Sequence, residues 1–137
     1  MLKVVIDTNV FISAILFGGT PRKIINGWLK GKFILCLSPE LKAEILSKLQ
    51  KKFLLSSESI QFIEEALDKS SQKYIPGSKV TICADPKDNF LLELAEEANA
   101  DFLVSGDKHI LSLKYHKKTK IYSPKDFVET VGKIKNN

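Results

Sequence analysis

Short apolar runs of strand length recur along this chain, and three of them lead into a carboxylate. Leu2-Lys3-Val4-Val5-Ile6 meets Asp7, Val80-Thr81-Ile82-Cys83 meets Asp85 one residue later, and Phe102-Leu103-Val104 is followed by Ser105-Gly106-Asp107. A fourth run, Phe33-Ile34-Leu35-Cys36-Leu37, ends at Ser38. Near-continuous apolar runs of this length suit strands buried on both faces, as in parallel sheets covered by helices. Helix signals separate the runs, and such alternation favours an α/β fold.

Strands are expected near residues 2–6, 33–37, 80–83, 102–104 and 121–122. Together they make a five-stranded parallel sheet flanked by helices on both faces. Residues 10–16 form a short apolar segment that breaks at Gly18-Gly19. Thr20-Pro21 supplies a cap and a first-turn proline for a helix to about Lys30, closed by Gly31. Ser38-Pro39-Glu40 repeats the device for a helix to about Lys52, with an acid in its first turn and lysines in its last. Ile60, Ile63 and Leu67 mark an amphipathic helix over 56–74. Asp85-Pro86 opens a helix to Ala98, a short one covers 110–113, and Ser123-Pro124 caps the last, to Val131. The expected organisation is one domain over 1–132 and a loose tail over 133–137.

At 137 residues the chain can bury a core without staples. No apolar run approaches a membrane span, and the first strand leaves no room for a signal peptide. The two cysteines, Cys36 and Cys83, form no Cys-x-x-Cys pair and read as buried reduced thiols. A cytoplasmic protein is the expectation. The net charge is +5, concentrated at Lys30/Lys32, Lys51/Lys52 and His116-Lys117-Lys118-Thr119-Lys120. Such lysines can lend sequence-independent affinity for phosphates, although lysine clusters are commonly just solvated surface.

The acids sit differently. Asp7 ends a strand, where an unpaired carboxylate is costly to desolvate, or where it turns back onto nearby N–H groups. Glu44 lies beside the apolar stripe Leu41, Ile45 and Leu49, and it also stands four residues before Lys48, as in a plain surface pair. Asp85 before Pro86 reads as a helix cap. Asp88 heads the stripe Leu91, Leu92 and Ala95, so it points over the sheet, whereas Glu93, Glu96 and Glu97 fall toward solvent. Asp107 has a capping reading too. Carboxyl ends of parallel strands share one edge, where ligands bind, so these acids converge. Converging carboxylates repel unless a cation holds them, and hard oxygen ligands suit Mg²⁺ or Mn²⁺. His109 and His116 match no zinc spacing, and no nucleophile motif or phosphate-binding loop is present.

Asp7-Thr8-Asn9, Glu44, Asp85-Pro86-Lys87-Asp88-Asn89 and Ser105-Gly106-Asp107, in this order and at these separations, resemble the PIN domain. The likeness extends over nearly the whole chain and is strongest to small prokaryotic VapC-like toxin components of toxin–antitoxin systems. It implies a Mg²⁺- or Mn²⁺-dependent endoribonuclease with RNA as substrate. Asp7, Glu44, Asp88 and Asp107 would form its acidic quartet, with Asp85 as a further metal ligand. Thr8, Asn9, Asn89 and Ser105 would be polar neighbours. The resemblance also implies a homodimer or higher oligomer and an antitoxin partner, the alternative being an RNA-processing PIN nuclease without one.

Two readings come from other classes. A phospho-accepting receiver domain wants an acidic pair after its first strand, and here Asp7 is followed by Thr8-Asn9. A catalytically silent binding scaffold does not need the complete quartet.

Overall fold

The computed structural model describes residues 1–81, 85 and 88–135. Its elements are β1 (Lys3–Ile6), α1 (Thr8–Leu16), α2 (Gly19–Leu29), β2 (Ile34–Leu37), α3 (Pro39–Lys51), α4 (Ser57–Ser70) and β3 (Ser71–Lys73). After these come α5 (Asn89–Ala98), β4 (Phe102–Val104), α6 (Lys108–Leu111), β5 (Tyr115–His116), β6 (Thr119–Tyr122) and α7 (Pro124–Lys135). Val4, Val5 and Ile6 of β1 are all buried, as are Leu35, Cys36 and Leu37 of β2, so helices cover both faces of the sheet. Phe127 of α7 packs edge-on against Phe33 and Phe102, which joins α7 to the sheet.

Six strands rather than five lie side by side among the described residues, in the order β3-β2-β1-β4-β6-β5. All pair in parallel except the β5–β6 hairpin. One difference from expectation is β3. Residues 71–73, assigned by periodicity to the end of a helix, instead pair with Leu35, Cys36 and Leu37 of β2. This edge strand, Ser-Gln-Lys, has no apolar run to betray it. Of the strand expected at 80–83, Val80 and Thr81 belong to no strand, and Ile82 and Cys83 lie outside the described residues. Two boundaries also move. α5 starts at Asn89, not at Asp85-Pro86, and α7 continues past Val131 to Lys135. Only 136–137 of the expected tail then remain, outside the described residues.

The chain order changes direction between β1 and β4. Successive strands β1, β2 and β3 step outward on one side, and β4 returns to the other side of β1. At such a switch point the connections leave in opposite directions and open a crevice at the carboxyl ends of the two strands. Asp7 follows β1 and Ser105 follows β4, so both stand at that crevice. Among the described residues no helix is long and apolar enough to cross a membrane.

Candidate active site

The crevice is a cleft of about 430 Å³ lined by Asp7, Asn9, Glu44, Ser47, Lys48, Asp85, Asp88 and Asp107. Five carboxylates from distant parts of the chain therefore share one space. Each is delivered by a local device. The Asp7 N–H donates to the Val104 carbonyl (2.9 Å), extending the β1–β4 ladder one residue beyond the strand. Glu44 rides on α3, whose Leu41, Ile45 and Leu49 are buried and whose start is capped by Ser38 Oγ accepting from the Leu41 N–H (3.2 Å). The Asp88 N–H donates to the Asp85 carbonyl (2.9 Å), a turn that holds both acids at the head of α5. Asp88 stands at the cap position of α5, yet its side chain makes no capping bond.

Ser105 ties the centre together. Its fully buried hydroxyl donates to Asp7 Oδ2 (2.7 Å) and accepts from the Asp107 N–H (3.0 Å). Asp107 Oδ1 in turn accepts from the His109 N–H (2.7 Å), so this acid is a helix cap and a cleft residue at once. Glu44 likewise satisfies both of its readings. It lines the cleft and pairs with Lys48 at 3.5 Å.

The electrostatics are those of crowded negative charge. Burial pushes the Asp7 carboxyl above its ordinary range, opposed by the Ser105 hydroxyl and the Asn9 backbone N–H and reinforced by the charges of Glu44 and Asp107. Asp88 is pushed up to about 6, by burial first and then by Asp107, Asp7, Asp85 and Glu44. Among the described residues no three acidic, imidazole or thiol side chains are already gathered into a coordination sphere. The donor set nonetheless fits a hard divalent cation. It is all oxygen, it carries excess negative charge, and two of its members, Asp7 and Asp88, are held above their ordinary pKa by burial first and by neighbouring carboxylates second.

The polar neighbours divide. Asn9 lines the cleft, where its Oδ1 accepts from Lys48 Nζ (3.5 Å), and Ser105 orients Asp7 from beneath. Thr8 and Asn89 are buried and are not among the cleft-lining residues. The Thr8 hydroxyl has no hydrogen-bond partner among the described residues. Ser47 at the cleft has no counterpart among the sequence candidates, and Lys48, which the sequence offers only as a surface partner of Glu44, also lines it. Their spacing of three and four residues from Glu44 on one helix was the available signal.

One charge expectation is corrected. Glu93 does not face solvent. It is buried, and its Oε2 accepts from the Val80 N–H (2.9 Å), pinning the incoming chain onto α5. The His116–Lys120 run lies away from the cleft, at the amino edge of the sheet. There His116 and Lys117 pair with Glu96 (3.0 and 3.3 Å) and Lys118 reaches Asp101 (3.8 Å), just before β4. Cys36 is a buried free thiol, pushed by burial up to about 11, and Cys83 lies outside the described residues.

Comparison with known proteins is consistent with this geometry. A family profile described as PIN domain matches residues 3–109, the span that carries all five acids. An uncharacterized protein of Methanocaldococcus jannaschii, MJ1680, is 34% identical over 146 residues, an alignment covering 97% of this chain and 94% of that protein. In fold, the chain is similar to the crystal structure of FitAcB from Neisseria gonorrhoeae. The TM-score is 0.51 at 15% identity, covering 88% of this chain and 97% of that one.

Proposed function

Because the chain belongs to the PIN-domain family, whose members are generally nucleases, we propose that its acidic cleft hydrolyses RNA phosphodiester bonds with Mg²⁺ or Mn²⁺. One observation carries this reading: Asp7, Glu44, Asp85, Asp88 and Asp107 line a single cleft at the switch point of the sheet. Asp7, Asp88 and Asp107 would hold the cation, directly or through water, with Asp85 as a further ligand. Glu44 would hold it too or orient the attacking water. A divalent cation bound there supplies a more acidic water and a counter-charge for the phosphate and the leaving oxygen. Ser105 keeps the Asp7 carboxylate turned to its task through the 2.7 Å bond, and Asn9 lies beside it at the cleft wall. The nuclease unit would be a single domain, expected over 1–132 and carried by α7 to Lys135, acting in the cytoplasm.

The test is incubation of the purified protein with single-stranded and looped RNA in Mn²⁺ or in excess EDTA. Cleavage is expected only with Mn²⁺, and Asp7→Asn should abolish it while the protein melts cooperatively. Equal cleavage in EDTA, or undiminished cleavage by Asp7→Asn, overturns the proposal.

A specific surface supports the narrower reading that this nuclease is the toxin of a toxin–antitoxin pair and forms a homodimer. Two apolar recesses between α1, α2 and α4 adjoin, sharing Ile15, Phe62 and Ile63 and extending to Leu29, Leu55 and Ala66. Phe62 is 75% exposed and adjoins these recesses, so the apolar surface here is contiguous and not a single exposed ring. Helix α1 joins this surface to the cleft, with Asn9 at one and Ile15 at the other. An antitoxin helix seated on the recesses would carry an Arg or Lys to the carboxylates in place of the cation.

A further inference from the structure

Two lysines on α3 are held in contrasting ways. Lys42 is locked between Glu64 and Asp68 of α4 at 3.0 and 2.9 Å, at charge-assisted distances. Lys48 reaches Glu44 Oε1 and Asn9 Oδ1, each at 3.5 Å and each at the outer limit of such a contact. It is 39% exposed, and it is the one cationic side chain among the described residues that line the cleft. The lysine run 117–120, which the composition offers as a phosphate binder, stands at the opposite edge of the sheet, and its Lys117 and Lys118 are paired with Glu96 and Asp101. A polyanion entering a cleft of five carboxylates meets repulsion that has to be answered inside the cleft.

We propose that Lys48 contacts a phosphate of the nucleic-acid substrate, exchanging its loose hold on Glu44 and Asn9 for the incoming anion. This rests on the nuclease reading above. Were Glu44 to share the cation, the charge that draws Lys48 toward that carboxylate would be offset, and Lys48 would be freer to meet a phosphate. The residue bears on the backbone and not on the bases, so its contribution is the same for every sequence. Ser47, beside it on α3, offers a hydroxyl to the same space.

The experiment measures binding, not turnover. A short fluorescein-labelled single-stranded RNA is titrated with the parent, Lys48→Met and Lys48→Arg proteins in Ca²⁺ across a salt series. Mn²⁺ affinity is measured by calorimetry, and each variant is melted. Lys48→Met is expected to bind RNA about tenfold more weakly. Its dependence of log K on log salt should be shallower by about 0.7, the loss of one single-strand phosphate contact. Its Mn²⁺ affinity should be equal or tighter, because a competing cation is gone. Lys48→Arg should bind RNA like the parent. If Lys48→Met keeps the parent's RNA affinity and salt slope, the proposal is wrong. If it loses Mn²⁺ as well as RNA, Lys48 is a prop for Glu44 and the proposal is equally overturned. Failure of the parent itself to bind RNA removes the nuclease reading and this inference with it, a result distinct from the other two.

Discussion

At the scale of single residues, the cleft behaves as charge in search of a counter-ion, and pH reports this. Asp88 has an ordinary value of 3.8 and is pushed up to about 6, so the folded protein holds its proton more tightly than the unfolded chain does. The stability this contributes is whole below about pH 4 and is lost as pH rises through 6. Asp7 is shifted in the same direction. The metal-free protein should therefore lose part of its melting temperature between about pH 4 and about pH 6, and Asp88→Asn should flatten that slope. At pH 7 in EDTA, Asp88→Asn should be more stable than the parent by roughly 1–2 kcal/mol, a figure discounted for solvent screening. Mg²⁺ should reverse the ranking, stabilising the parent by roughly 2.7 kcal/mol at a hundred times its dissociation constant. Asp88→Ala is run alongside, because Asn is itself a good helix cap. Melts that show no Mg²⁺ effect on the parent, with Asp88→Asn less stable in EDTA, would count against a shared cation site. For the nuclease, activity should fall as pH drops below about 6, where the Asp88 proton competes with the cation.

At the scale of elements, two serines separate support of the fold from support of the site. Ser38 caps α3, the helix that carries Glu44 and Lys48, from outside the cleft. Ser38→Ala should cost about 1 kcal/mol in stability and leave Mn²⁺ affinity nearly unchanged. Ser105→Ala removes the hydroxyl that answers the buried Asp7 carboxylate, so it should cost roughly 1–3 kcal/mol and weaken Mn²⁺ binding as well. Calorimetric titration of both variants beside their melts distinguishes the two roles, and equal Mn²⁺ affinities would deny Ser105 any part in the site. The elements also explain what the sequence concealed. β1, β2 and β4 are buried on both faces and therefore spell their positions in apolar runs. β3 lies at the sheet edge after α4, where Ser71-Gln72-Lys73 continues a helix-like polarity without interruption. Asp85 before a proline reads as a helix cap, yet α5 starts at Asn89, and the Asp85 carbonyl instead accepts from the Asp88 N–H.

At the scale of the molecule, acidic cleft and apolar recesses are two surfaces joined by one helix. Phe62→Asp should abolish partner binding or dimerisation while leaving the melt and Mn²⁺ affinity intact, since the ring is mostly in water. Light scattering at micromolar concentration, with co-purification beside the product of the neighbouring reading frame, checks this. A parent that is monomeric and captures nothing speaks against the partner reading without touching the nuclease one.

The α/β class, the buried strands β1, β2 and β4, and the position of Asp7 just past β1 are legible in short stretches of the chain. Each of these is a local property. A strand buried on both faces must be apolar, and an acid that directly follows it must emerge at its carboxyl edge. Other features exist only in the folded chain: β4 returns beside β1, Ser105 reaches across to Asp7, and Lys48 faces the acids while the lysine-rich hairpin does not. Those are outcomes of strand order and helix orientation, which depend on pairings between residues as far apart as Val4 and Phe102, and no window of the chain encodes such a pairing alone.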